Sequence, residues 1–256
     1  MSHSLHCHGL GCPSADLINA HFIPQAFARQ IKKFSGGSNT TASELRFTRG
    51  LQHGLYDNAI LCADCDGFLG REYDDPAFKL ISSLNVMAFS APTFEIPNVN
   101  CDLLCAFILT VLWRCSISSR CELSNINLIG YTNPARMVLW HAMPISNLRA
   151  YRVLCQRYSP RPGVEALYSL PIPAPFQLQG SEWRGYVFPL VGFRFMVIID
   201  PRPLPSHYDP YILNGSNTLH GSFVDFSETY EAGQARALLN FHGSREMIRS
   251  FPVKNS

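Results

Sequence analysis

From Leu103 to Trp113 the chain is almost unbroken in apolar residues, and the run closes on Arg114. Leu104, Ile108, Val111 and Leu112 recur at helical spacing, which predicts a helix that starts at Asn100 or Asp102 and reaches about Ser116. The run is too short to span a bilayer comfortably and reads as a buried core helix. A shorter amphipathic stretch, Gln25 to Ile31, follows Pro24 and places Phe27 and Ile31 on one face. Pro134 suits the first turn of a helix over 135–142, with Asn133 as its N-cap. Tyr186–Val191 and Phe193–Asp200 are rich in β-branched and aromatic residues and flank Gly192, so they predict two strands joined by a turn. A short strand is expected within 45–55, a helix opening near Cys65-Asp66 and running through Leu69, a turn or helix start at Asp75-Pro76, and a last helix over 227–240. Ser35–Thr41 and the prolines between 160 and 205 read as loops. The fold class expected is α+β: an N-terminal module over residues 1–80, then a mixed helix and antiparallel-sheet domain over 81–256.

Charge narrows the picture. The 256 residues carry 21 Lys and Arg against 19 Asp and Glu, a net of +2. That balance gives no broad basic footprint, so contact with nucleic acid would depend on local clustering, chiefly Arg29, Lys32 and Lys33. The start Met1-Ser2-His3-Ser4-Leu5-His6 has no apolar signal core, and nine cysteines are an odd number. Together they argue for reduced thiols and a cytoplasmic protein that does not enter membranes.

The cysteines are unevenly placed. Cys7 and Cys12 bracket His8-Gly9-Leu10-Gly11, and Cys62-Ala63-Asp64-Cys65 forms a CxxC. Two such pairs supply four thiolates, the ligand set of a closed tetrahedral zinc site, whose metal contributes folding free energy directly. His8 is an alternative ligand. Between the pairs lies His21-Phe22-Ile23-Pro24, and Asn58 stands just ahead of the CxxC. Cys101, Cys105, Cys115, Cys121 and Cys155 have apolar surroundings or no basic neighbour to hold a thiolate, and read as reduced and non-catalytic. Arg114 reads as half-buried, paired with a carboxylate rather than a phosphate.

In order and spacing, Cys7/Cys12, His21 before an apolar pair and Pro24, Asn58, and Leu61-Cys62-Ala63-Asp64-Cys65 resemble the HNH endonuclease family, zinc-stapled ββα-metal nucleases. The resemblance covers about the first third of the chain. It implies His21 as general base, Asn58 as the residue orienting the His21 segment, Asp66 as ligand to a catalytic Mg²⁺ or Mn²⁺, and a structural Zn²⁺ on Cys7, Cys12, Cys62 and Cys65. Two positions depart from the pattern. Ala20 stands where the family has an acidic metal ligand, and Asp66 stands where it has His or Asn; Asp16, Asp64, Asp74 or Asp75 are the acidic residues available to add oxygen. Read without the resemblance, His21 is equally a core histidine, Asn58 a turn residue and Asp66 a helix cap, while Asp74 and Asp75 are expected to be solvated.

The expected activity is hydrolysis of phosphodiester bonds in nucleic acid, DNA in preference to RNA, with a homo-oligomer or a regulatory protein as further partners. The alternative is a catalytically silent zinc module that binds nucleic acid or a protein. Ala20 and the weak positive charge favour the alternative; His21 and Asn58 in register favour the enzyme.

Overall fold

A computed structural model describes residues 6–35, 41–42, 47–48, 55–85, 87, 92–120, 123–128, 130–160 and 167–234. The side chains of residues 31–35 fall outside that description, Lys32 and Lys33 among them, as do Cys121 and the last part of the expected 227–240 helix. Residues 230–234 of that helix are helical.

The apolar run forms the spine. Helix α4 (Cys101–Ile117) is buried at every position from Leu104 to Cys115, and Asn100 caps it by accepting the Leu103 N–H at 3.0 Å. A helix apolar all round must be covered on all sides. Phe107 shows how: its ring lies 5.6 Å from Phe27 of α1 (Gln25–Ser35) and 6.4 Å from Phe188 of β8 (Ser181–Leu190). One face of α4 thus meets the N-terminal part and another meets the sheet. A single apolar cluster runs from Cys7 to Leu219, and α3 (Asp75–Asn85) crosses residue 80, so the two parts of the chain share a core.

The sheet has six strands in the order β5-β10-β6-β9-β8-β7. These are β5 (Thr93–Pro97), β6 (Tyr151–Tyr158), β7 (Ile172–Leu178), β8, β9 (Phe193–Ile199) and β10 (Thr218–Val224). The β8–β9 hairpin turns at Val191-Gly192, both at positive φ, as the sequence anticipates. The expectation of a purely antiparallel sheet is corrected: β10 runs parallel to β6, because a long connection brings the chain back beside it. The two edges carry prolines, Pro173 and Pro175 in β7 and Pro97 in β5. Proline lacks an N–H and fits only where one side of a strand needs no partner. The face away from α4 buries a second cluster of Leu154, Phe176, Trp183, Val187, Ile198 and Leu204.

In the N-terminal part, β1 (Ala20–His21) pairs antiparallel with β4 (Tyr56–Asp57), placing Ala20 opposite Asp57 and His21 opposite Tyr56. Between them lie α1 and the small pair β2 (Thr41–Ala42) and β3 (Phe47–Thr48). After β4 the chain enters α2 (Ala63–Leu69), which continues through a π turn, Gly70–Asp74, into α3. The cap of α2 is Cys62, not Cys65 or Asp66. Helix α5 (Thr132–Leu139) packs on this long helix through Phe68 and Trp140, 6.1 Å apart. It begins two residues earlier than the proline suggested, with Tyr131 in the N-cap place and no side-chain cap; Asn133 lies inside its first turn, so that expectation is corrected. Among the described residues no helix is long and apolar enough to cross a membrane.

Because Phe107 contacts both parts, Phe107→Ala is expected to cost about 3–5 kcal/mol, the usual range for a deleted core aromatic. Urea unfolding read at several probes should show one destabilised transition; a loss under 1 kcal/mol would mean that α4 does not join the two parts.

Candidate metal centre

Cys7, Cys12, Cys62 and Cys65 converge, with their Sγ atoms all within 4.8 Å of one another. Cys12 and Cys62, fifty residues apart in sequence, stand 3.7 Å apart at sulfur. Sulfurs on a tetrahedral zinc with ~2.3 Å bonds would be about 3.8 Å apart, so the set can hold one structural metal ion such as zinc. Local backbone builds the cluster. The Cys7 N–H donates to Ser14 O at 2.7 Å and the Cys12 N–H to Gly9 O at 3.2 Å, which curls the loop. The Gly9 and Cys62 N–H groups donate to Cys7 Sγ at 3.4 and 3.3 Å. The His8 N–H reaches Ile60 O and the Ile18 N–H reaches Leu61 O, both at 2.9 Å, so the loop is stitched to the segment entering α2. Gly9 is required by space: a Cβ there would lie 2.3 Å from Cys65 Sγ.

The thiols are electrostatically unequal. Burial alone would raise Cys62, but hydrogen bonds from the Cys65 backbone and from the neighbouring thiols outweigh it and bring it down to about 7. Burial pushes Cys7 and Cys65 up. A group of crowded thiols with one poised to ionise suits a cation that turns all four into thiolates. By contrast Cys101, Cys105, Cys115 and Cys155 are free and buried, and burial raises each of them, Cys101 to about 11.

The residues expected to do chemistry lie around this clasp. His21 sits on β1 with its ring 5.9 Å from Tyr56. Ala20 is fully buried, and directly across the ladder from it is Asp57, also buried. Paired positions on neighbouring strands share a face, so a carboxylate stands beside the place where the HNH pattern has one. Sequence reasoning did not single out Asp57, since only the strand register brings it opposite Ala20. Asp57 accepts the Ala59 N–H at 2.8 Å and the Ser118 hydroxyl, and Arg120 donates to Tyr56 O at 2.9 Å, which locks β4 to the end of α4. Asn58 is exposed in the turn after β4, with no side-chain hydrogen bond among the described residues.

Asp66 projects from α2 toward Arg114. Arg114 is fully buried; it donates from Nη1 to both Asp74 oxygens at 3.2 and 2.9 Å and from Nη2 to Asp66 at 3.4 Å. The π turn makes this possible. Residues eight apart on an α-helix differ by about 80° in direction, but one inserted residue reduces that to about 20°, so both carboxylates face Arg114. Asp74 is therefore buried and paired, which corrects the expectation that it is solvated; burial pushes its carboxyl up while Arg114 pulls it down. Asp16, Asp64 and Asp75 are exposed. His8 does not join the four thiols and instead lines a cavity with Arg136, and burial first, then that guanidinium, lowers its pKa.

No protein-family model, no curated protein and no solved structure matches the chain.

Two outcomes follow from this geometry. Cys62→Ser should remove the bound metal, and Gly9→Ala should weaken its retention by displacing Cys65, both read as zinc per chain by elemental analysis after gel filtration. Arg114→Leu should strand a buried Asp74 and cost about 3–5 kcal/mol, whereas Arg114→Leu with Asp74→Leu should recover much of it; equal losses in the single and double variants would contradict the pairing.

Proposed function

We propose that the chain is a metal-dependent endonuclease that hydrolyses phosphodiester bonds in nucleic acid, DNA in preference to RNA. One observation supports this reading above the rest: β1, carrying His21, pairs with β4, and β4 leads into a helix that carries Asp66 and starts at the four-thiol cluster. Two strands and a helix in that order, with a histidine on the first strand, follow the order that the HNH resemblance implies.

The division of labour is physical. Zinc on four thiolates has no open position and serves structure. Water attacks phosphorus only when a base removes its proton, and His21 is the base in this reading. Mg²⁺ or Mn²⁺ prefers oxygen ligands and stabilises the charge that builds on the phosphate and the leaving oxygen. Asp66 is the first candidate ligand: its contact to Arg114 is the longest of that fork, and its side chain is 27% exposed. Asp57 offers a second carboxylate where Ala20 cannot. The role that the resemblance implies for Asn58, orienting the His21 segment, has no side-chain hydrogen bond to support it among the described residues.

A second reading is a zinc module without catalysis that binds nucleic acid or a protein partner. Its support is equally specific: Arg114 occupies Asp66, Ala20 is buried, and Asn58 faces outward.

The discriminating assay presents plasmid DNA, single-stranded DNA and RNA with Mg²⁺ and with Mn²⁺. His21→Ala should reduce cleavage by ~10²–10⁴-fold with zinc content and melting temperature unchanged. Asp66→Ala should reduce it similarly, with partial recovery at higher metal concentration. If wild type and His21→Ala cleave none of these differently, the silent module is the better reading.

A further inference from the structure

The β1–β4 ribbon has two faces. Side chains alternate along a strand, so Ala20 and Asp57, both buried, share the inner face, and His21 and Tyr56 share the outer one. The Phe22 N–H donates to Leu55 O at 3.1 Å, which makes His21 and Tyr56 the non-hydrogen-bonded pair next along the ladder, the kind whose side chains come closest. Their rings lie 5.9 Å apart, yet Tyr56 is 39% exposed. Its backbone is held on both edges. β1 pairs along one, and on the other Arg120 Nη1 donates to Tyr56 O at 2.9 Å. Arg120 is itself fixed: its N–H donates to Ser118 Oγ at 3.2 Å, and the Ser118 hydroxyl donates to the buried Asp57. An exposed aromatic ring thus stands on a braced strand, with a histidine beside it on one strand and a half-buried arginine tied to its own carbonyl.

We propose that Tyr56 is a stacking platform for an unpaired base of a DNA strand and that Arg120 draws in the adjoining phosphate, so that the site takes single-stranded in preference to duplex DNA. The proposal rests on the reading that the His21 site takes nucleic acid, and adds which form it takes. A ring already fixed on a braced strand loses little freedom when a base covers it. Stacking accepts any base, since each has a π face, whereas in a duplex both faces are covered by neighbouring bases. A guanidinium matches phosphate and stays charged at any working pH. The net charge of +2 gives no broad basic surface to grip a duplex backbone, so a short contact built from one ring and one guanidinium fits this chain better. A base seated on Tyr56 brings its strand to the face where His21 stands, which is where a proton acceptor is needed for cleavage.

The test uses the full zinc-loaded chain without added Mg²⁺ or Mn²⁺, so cleavage plays no part. Binding of a fluorescently labelled single-stranded DNA oligonucleotide, and of the same sequence as a duplex, is followed by anisotropy. The single strand should bind about tenfold more tightly than the duplex. Tyr56→Ala should weaken single-strand binding about tenfold, and Tyr56→Phe, which keeps the ring, should stay within about twofold of wild type. Arg120→Gln should weaken it several-fold and lower the salt dependence by about one phosphate contact, with partial recovery in Arg120→Lys. Tyr211→Ala, which removes an exposed tyrosine elsewhere, should change nothing. Zinc content and melting temperature confirm that each variant is folded; if Arg120→Gln is not, the two Tyr56 variants decide. Equal affinity for single strand and duplex, no binding of either, or wild-type affinity in Tyr56→Ala overturns the proposal. Equal affinity for both forms leaves the nuclease reading standing, whereas single-strand binding without His21-dependent cleavage removes the nuclease reading and keeps this one.

Discussion

The four-thiol clasp is the constraint on which the N-terminal part depends. Short strands such as β1 and β4, two residues each, cannot hold themselves together; a two-stranded ribbon is marginal in water even when longer. The clasp changes that by tying the Cys7–Cys12 loop to the first residues of α2 across about fifty positions of chain. The same stroke lays Ile18 and Phe22 against Leu61 and Leu55 through backbone hydrogen bonds, and so sets β1 beside β4. His21 takes its place from that pairing.

A second support comes from α4. Its buried arginine gathers Asp66 and Asp74 from the long α2–α3 helix, and the segment following it grips β4 through Ser118 and Arg120. The four-thiol cluster and the arginine fork therefore act on the same small unit, one at the start of α2 and the other further along the α2–α3 helix. The fork also sets the chemistry available there: it stabilises two carboxylates at close quarters and draws on the one that a catalytic cation would use. In the nuclease reading proposed above, Arg114 and the cation would compete for Asp66.

Much of this was legible in the sequence where the signal is local. The α4 run, the Gly192 hairpin and the two cysteine pairs announce themselves by composition and spacing, and Arg114 reads as the partner of a carboxylate. What escaped was non-local. Asp57 lies opposite Ala20 in a strand register, which no spacing reveals. Asp74 reads as solvated because acidic side chains are seldom buried, and the π turn that turns it toward Arg114 beside Asp66 leaves no mark in the sequence. The edge strand β7 was hidden by its prolines, which read as loops until their place at the sheet margin is known. The cavity by His8 and Arg136 joins residues more than a hundred positions apart and left no trace in the pattern.

The claim that the clasp organises the hairpin and α2 is tested most directly by hydrogen exchange with and without a zinc chelator. With metal bound, the amides of His8, Ile18, Phe22 and Cys62 should be protected together. Removing one equivalent of metal should release all four, while amides of β6 and β9 in the sheet keep their protection. If the four amides stay protected in metal-free protein, packing alone holds the unit and the clasp is not its organising interaction.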